Sequence, residues 1–390
     1  MTRWGRPLRD EDIVNVRHDQ AMSLDESFDH VASRARKGVT AWICAADHQA
    51  YDLIFALKKR GLRVPRDVSV TGFDGIAPDF AANSGDMART VTKTYANYDR
   101  KDTRFPFFRA FDIWRGHSFA DGNGFPDGNN QESTGESLNS WAGMILLGEA
   151  LGDANLTAAG VMGYSFETRA TIEYWYDPHG DVFPAQYQHE AAGMIWCNSI
   201  VWGTWFTASP AWIYGIQWLP SAPWMTYLDR DRTFIKKVYA DMNREFAAHE
   251  EKEAAKKPGY AKKSADIKSH DGELGSYHLG FVMQADPQFA VEQIDKLWTE
   301  PGDKIAHNMW MANIYYEASA LREIGRADFT CHGSSPTSMV YANDAKRTRT
   351  FIAWNPTAKP QTVVFYEGAK PLGKLKVPAH SLAGSSILTP

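Results

Sequence analysis

Asp112-Ile-Trp-Arg-Gly-His-Ser-Phe-Ala-Asp-Gly-Asn-Gly-Phe-Pro-Asp-Gly-Asn-Asn-Gln-Glu-Ser-Thr-Gly-Glu136 is the stretch on which the reading of this chain turns. It sets carboxylates, a histidine, three asparagines and a glutamine among glycines and aromatics. No helix or strand period runs through it before Ser133. A long polar loop in an otherwise hydrophobic chain is usually functional, because idle loops are short. From Ser133 a helix is expected. Ser133 as N-cap with Glu136 three residues on is a capping box by sequence. Glu132 and Glu136 are four apart, so a helix starting near Ser133 brings their side chains together on one face. Two close carboxylates repel, and the pKa of one should rise. An acid held protonated beside one held ionised is equipment for glycoside hydrolysis. The same residues also suit a purely structural cap, and a residue can do both.

Asp112 and His117 precede the turn-rich part of the loop. Asp112 suits an acid, a base or an orienting partner for His117. Asp121, Asn123, Asp127, Asn129 and Glu132 imitate the spacing of a calcium loop. Phe125 and Pro126 occupy the places of a ligand and of the required glycine, which argues against calcium. No zinc spacing occurs, and no metal or cofactor is expected.

The rest of the chain bounds these readings. Its 390 residues allow two or three domains with a large core. The net charge of -5 gives no electrostatic case for nucleic acid as a partner. The 14 Trp, 16 Tyr and 20 Phe suit either ordinary packing or a carbohydrate cleft, where flat rings stack on sugar faces. Cys44, Cys197 and Cys331 are far apart and give no disulfide framework. No window nears the roughly 18 apolar residues of a membrane span. The N-terminus has no apolar core of a signal peptide, so the chain as written reads as cytoplasmic. Oligomeric state is not legible.

Three regions are expected. Residues 1–78 read as a βαβ unit: a helix from Asp25 to Arg36, a buried strand from Val39 to Ala45, a helix from Gln49 to Arg60 capped by Asp47, and a strand from Val68 to Asp74. Residues 79–328 read as an all-α body, with helices at 82–95, 135–151, 156–176, 190–201, 227–256, 276–283, 287–297 and 305–324. Paired antiparallel helices there suggest an α/α toroid whose end loops build a cleft. Residues 329–390 alternate at period two, as in Arg349-Thr-Phe-Ile-Ala-Trp354 and Thr362-Val-Val-Phe-Tyr366, and read as a small antiparallel β appendage.

Two resemblances sharpen this. Gly61-Leu-Arg-Val-Pro-Arg-Asp-Val-Ser-Val-Thr-Gly-Phe-Asp-Gly-Ile76, with Thr40-Ala41 and Ala46-Asp47, resembles a fragment of the effector-binding domain of lac-repressor-type regulators. It covers about a fifth of the chain. Phe105-Pro-Phe-Phe-Arg-Ala-Phe-Asp-Ile-Trp-Arg-Gly-His-Ser-Phe-Ala120 and Asp127-Gly-Asn-Asn-Gln-Glu-Ser-Thr-Gly-Glu136 resemble the signature segments of glycoside hydrolase family 81, the endo-β-1,3-glucanases. Glu167 to Tyr176, Trp202 to Phe206 and Tyr214 to Pro220 extend the match, which runs from about Asp79 to the C-terminus.

What the second resemblance implies is an (α/α)6-toroid catalytic domain, incomplete on its N-terminal side, that hydrolyses β-1,3-glucan with inversion. Glu136 or Glu132 would activate water, with Glu136 favoured. Asp112 would be the remaining catalytic acid. His117, Asn130, Gln131, Glu173 and Trp205 would line the cleft or bind sugar. The family's His-, Phe- and Tyr-rich segment around its general acid, and its N-terminal β-sandwich, have no counterpart here. A non-hydrolytic β-glucan-binding protein is therefore the alternative. The family is commonly secreted, which sets the cytoplasmic reading against it.

Overall fold

In the computed structural model, the structure describes residues 23–43, 47–64, 66–71, 78–120, 126, 128–219, 221–228, 231–260, 274–298 and 309–388. The chain divides into two compact units, Met1–Gly75 and Ile76–Pro390.

The smaller unit contains α1 (Leu24–Arg36), β1 (Ala41–Ile43), α2 (Asp47–Lys59) and β2 (Ser69–Thr71). Ser23 and Glu26 close a reciprocal capping box at the start of α1. β1 and β2 pair in parallel, Trp42 opposite Val70. Val31, Ala32, Leu53, Leu57 and Val68 pack around Trp42. This is the expected βαβ arrangement. The Asp47 side chain and Cys44 lie outside the described residues.

The larger unit is rich in α-helix. α3 (Pro78–Ala96), α4 (Thr134–Leu151) and α5 (Ala154–Ala170) come first, and α5 runs on through a π-helical turn, Thr171–Tyr176. α6 (Pro210–Gly215), a 3-10 turn at Pro223–Leu228, α7 (Arg232–Lys256), α8 (Leu274–Val282), α9 (Pro287–Trp298) and α10 (Met309–Ile324) follow. α4 stops because Gly152 adopts the left-handed conformation, and Asp153 caps α5 at once through the Leu156 N–H. The two helices make a close-packed hairpin. A Cβ on Gly163 would stand 2.3 Å from the Trp141 ring, and one on Gly160 2.8 Å from the Ile145 nitrogen. Trp175, Tyr176, Tyr214, Trp218, Ile235, Met242 and Phe281 fill a second core, with Trp218 stacked on Phe281 at 4.0 Å.

Short strands hold the polar loops between these helices: β3 (Phe111–Asp112), β4 (His117–Ser118), β5 (Asn130–Gln131), β6 (Met194–Trp196) and β7 (Ile200–Val201). β3 pairs with β4, and β5, β6 and β7 form an antiparallel sheet. The helix expected over 190–201 is therefore replaced by a hairpin. Asn198 and Ser199 turn it, with the Trp196 N–H bonded to the Ser199 carbonyl at 2.8 Å. The β-branched Ile195, Ile200 and Val201 favour strand, and β5 supplies the partner. A continuous apolar run does not by itself separate the two states.

From β8 (Arg326–Ala327) the chain is all strand: β9 (Cys331–Gly333), β10 (Ser338–Asn343), β11 (Thr348–Asn355), β12 (Gln361–Glu367), β13 (Lys370–Val377) and β14 (Ser381–Leu388). They form two sheets, ordered β14-β11-β10-β8 and β13-β12-β9. Val340, Phe351, Ala353, Val363, Phe365 and Val377 are buried between them. The opposite side meets the helices through Ala327 and Tyr341, which join the core around α9 and α10.

Candidate active site

The hairpin between β3 and β4 is shaped by Asp112. Its carboxylate accepts the N–H groups of Trp114 (2.8 Å) and Arg115 (3.4 Å). Gly116, at φ +75, donates its N–H to the Asp112 carbonyl at 2.8 Å. Such a turn needs a short acidic side chain and a residue free of Cβ strain. The Arg115 guanidinium then crosses to the carbonyls of Trp196 (3.3 Å) and Cys197 (2.5 Å). The hairpin is thereby fixed beside β6, with Trp114 at its tip 94% exposed. Asp112 is committed to this turn and does not line the cleft described below.

The N-terminus of α4 is held from far along the chain. Ser133 accepts the Glu136 N–H at 3.3 Å and donates to the Ile216 carbonyl at 2.9 Å. The Glu136 carboxylate does not return to the Ser133 N–H, so only half of the expected capping box forms. Gln217, fully buried, does the rest. Its Oε1 accepts the Thr134 N–H and hydroxyl at 3.0 and 2.9 Å. Its Nε2 donates to the carbonyls of Glu132 (2.6 Å) and Gly193 (3.1 Å).

Glu132 and Glu136 consequently open on one cleft of about 230 Å³, lined also by Gln131, Ser118, Phe119, Ser137 and Trp141. Glu136 is exposed, and its carboxylate has no hydrogen-bond or ionic partner among the described residues. Glu132 is half-buried and accepts the Trp205 N–H at 2.8 Å. Burial raises its pKa, the Trp205 bond opposes the rise, and the charge of Glu136 adds to it. The expected rise is present, but burial outweighs repulsion as its cause.

The other expected residues take different places. His117 is 1% exposed, edge-on to Phe119 and Trp175, and its Nδ1 donates to the Ser118 carbonyl at 2.9 Å. Burial lowers its pKa. Asn130 is fully buried in β5. Gln131 reaches the cleft, while its amide donates to the Ser133 carbonyl at 3.0 Å. Glu173, on the π-helical turn, pairs with Arg169 at 2.7 Å. Trp205 is 51% exposed and edge-on to Trp196 at 5.5 Å. Asp121, Asn123 and Asp127 of the calcium-like spacing lie outside the described residues, whereas Asn129 and Glu132 are within them.

Two further residues matter. Trp114 projects its ring from the hairpin, and its only sequence signal is an aromatic inside a polar loop. Glu167 on α5 is fully buried and lies directly beneath the cleft. Its Oε2 accepts the Ser118 N–H (2.7 Å), the Ser118 hydroxyl (2.7 Å) and the Trp141 indole N–H (3.2 Å). Its Oε1 accepts the Ser137 hydroxyl at 2.8 Å. Burial raises its pKa, and these bonds pull the other way.

Comparison with known proteins places this arrangement. Residues 70–256 match the family model described as glycosyl hydrolase family 81 C-terminal domain. Residues 9–84 match a periplasmic binding protein-like domain. A glucan endo-1,3-beta-D-glucosidase of Acetivibrio thermocellus is 32% identical over 307 residues, 78% of this chain and 35% of the relative. One of Thermobifida fusca is 32% identical over 304 residues, 77% of this chain and 36% of the relative. A solved mutant of a family 81 glycoside hydrolase from Clostridium thermocellum superposes with a TM-score of 0.63 at 28% identity, over 87% of this chain and 42% of that one. The chain thus spans about a third of the length of the curated relatives it matches. Over residues 70–256 the chain is thus similar to the C-terminal domain of glycosyl hydrolase family 81.

Proposed function

We propose that the larger unit hydrolyses internal β-1,3-glucosidic bonds of β-1,3-glucan, with inversion at the anomeric carbon. The observation that carries this reading is the pair in the cleft. Glu136 is an exposed carboxylate without a partner among the described residues, beside a Glu132 whose pKa burial has raised. Environments that push two acids apart assign them different tasks. Glu136 is the general base that draws a proton from the attacking water as the glycosidic C–O bond breaks, and the leaving sugar oxygen takes its proton from solvent water. Glu132 orients that water and, through the Trp205 N–H, fixes the aromatic wall beside it. Trp114 and Trp205 offer faces for sugar rings, and Gln131 an amide near the sugar hydroxyls. Asp112 serves by shaping the hairpin that presents Trp114. The β-1,3-glucan substrate follows from the names of the relatives. The helical hairpins fit an α/α toroid over residues 79–328, between a repressor-like fragment (1–78) and the β appendage (329–390).

Release of reducing ends from laminarin tests this reading, with cellulose as the control. Turnover of laminarin alone is expected. Retention on insoluble β-1,3-glucan without any release would instead favour a binding protein lacking an effective general acid.

A further inference from the structure

Ser137 follows Glu136 directly and also lines the cleft, and its hydroxyl donates to Glu167 Oε1 at 2.8 Å. A hydroxyl has one proton to give and two lone pairs to offer. Where that proton goes decides what the cleft meets. On Glu167, Oε2 can only accept, because the Ser118 backbone N–H and the Trp141 indole N–H cannot reverse. Both Ser118 contacts are 2.7 Å. Among the described residues Oε1 has one hydrogen-bond partner, Ser137, at 2.8 Å.

Resting on the glucanase reading, we infer that Glu167 is a positioning residue that fixes the polarity of Ser137. Glu167 Oε1 accepts the hydrogen bond of the Ser137 hydroxyl, so Ser137 meets the substrate as a hydrogen-bond acceptor for a sugar hydroxyl. No atom of Glu167 needs to reach the sugar. The buried acid on α5 thus acts on the cleft floor through one intervening hydroxyl, next in sequence to the proposed base.

Glu167→Gln is the informative change. Its amide oxygen can keep the three Oε2 contacts, while its NH2 stands where Oε1 stood and donates to Ser137. Ser137 must then turn its own proton into the cleft. Ser137→Ala removes the hydroxyl without touching Glu167. The experiment is a double-mutant cycle on laminarihexaose, reading affinity by calorimetry, KM and kcat by reducing-end release, and the thermal midpoint of each variant. Each single change is expected to weaken binding roughly three- to tenfold, the scale of one hydrogen bond. In the Ser137→Ala background the Glu167→Gln change should add nothing. A second measurement uses the native chain with deoxy and deoxyfluoro laminarioligosaccharides. Fluorine accepts but does not donate, so the hydroxyl facing Ser137 should tolerate neither replacement.

Equal losses from Glu167→Gln with and without the Ser137 hydroxyl would overturn the inference, as would full tolerance of fluorine at every position. Binding without turnover defeats the catalytic reading and leaves the cycle legible through affinity. A native chain that binds no laminarioligosaccharide overturns both.

Discussion

At the scale of single residues, the two cleft glutamates differ because their surroundings differ. Glu132 and Glu136 have the same side chain, four positions apart, yet one is half-buried against Trp205 and the other stands in the open. Their spacing was legible in the sequence, since it needs only the helix period. The inequality was not, because it depends on a backbone N–H 73 residues away. Asp112 shows the reverse case. The sequence offers Asp112 as an acid, a base or an orienting partner for His117, whereas in the structure its carboxylate accepts the Trp114 and Arg115 N–H groups of the turn. Glu317 gives a test of the same physics away from the cleft. Among the described residues its carboxylate has one hydrogen bond, from the Ser221 hydroxyl at 3.4 Å, and burial raises its pKa to about 7. The folded state then holds this proton more tightly than the unfolded chain does. The stabilisation is complete below the unfolded glutamate pKa and is lost as pH rises through about 7. Glu317→Gln should flatten that decline, for a relative gain on the order of 3 kcal/mol at pH 8. Urea midpoints at pH 4 and pH 8 check this, and an unchanged slope would contradict it.

At the scale of elements, the start of α4 is the feature on which the cleft depends. The sequence announced its cap because Ser133 and Glu136 are neighbours in the chain. It did not announce Gln217, whose side chain bridges Thr134, the Glu132 carbonyl and Gly193. The partners lie up to 85 residues apart, and no local pattern records them. Gly135 belongs to the same junction. A Cβ there would fall 1.8 Å from the Leu219 carbonyl oxygen, which is backbone and cannot rotate aside. Gly135→Ala should therefore push α4 from its seat, costing about 1–3 kcal/mol. The thermal midpoint should fall, and laminarin turnover should fall with it although no reactive group is lost. A midpoint equal to that of the native chain would show that the contact is not tight. The hairpin of β6 and β7 teaches a related lesson. Glu190 to Val201 is apolar enough for either state, and only β5, which the sequence places 60-odd residues earlier, makes it strand.

At the scale of the molecule, the long periodic helices and the alternating C-terminal strands were legible because they carry their pattern within themselves. The sequence reading sets three regions, with a change of pattern at Asp79 and another at 329, whereas the chain divides into two compact units, Met1–Gly75 and Ile76–Pro390. The smaller unit contains the expected parallel strands, and the larger one contains the cleft and its glutamates. The assembly of the cleft was only partly legible. Its lining draws on α3, β4, β5 and α4, and its floor on α5, so the positions that meet there are scattered along the chain. Glu167 is the clearest example, a helical glutamate whose four donors come from two other elements.

The central claim is that Glu136 activates water in this cleft. The most direct measurement compares reducing-end release from laminarin by the native chain and by Glu136→Gln, with laminarihexaose affinity recorded for both. A base contributes roughly 10²–10⁴-fold. The account predicts a loss of that size in kcat with affinity retained, and equal turnover by the two proteins would contradict it.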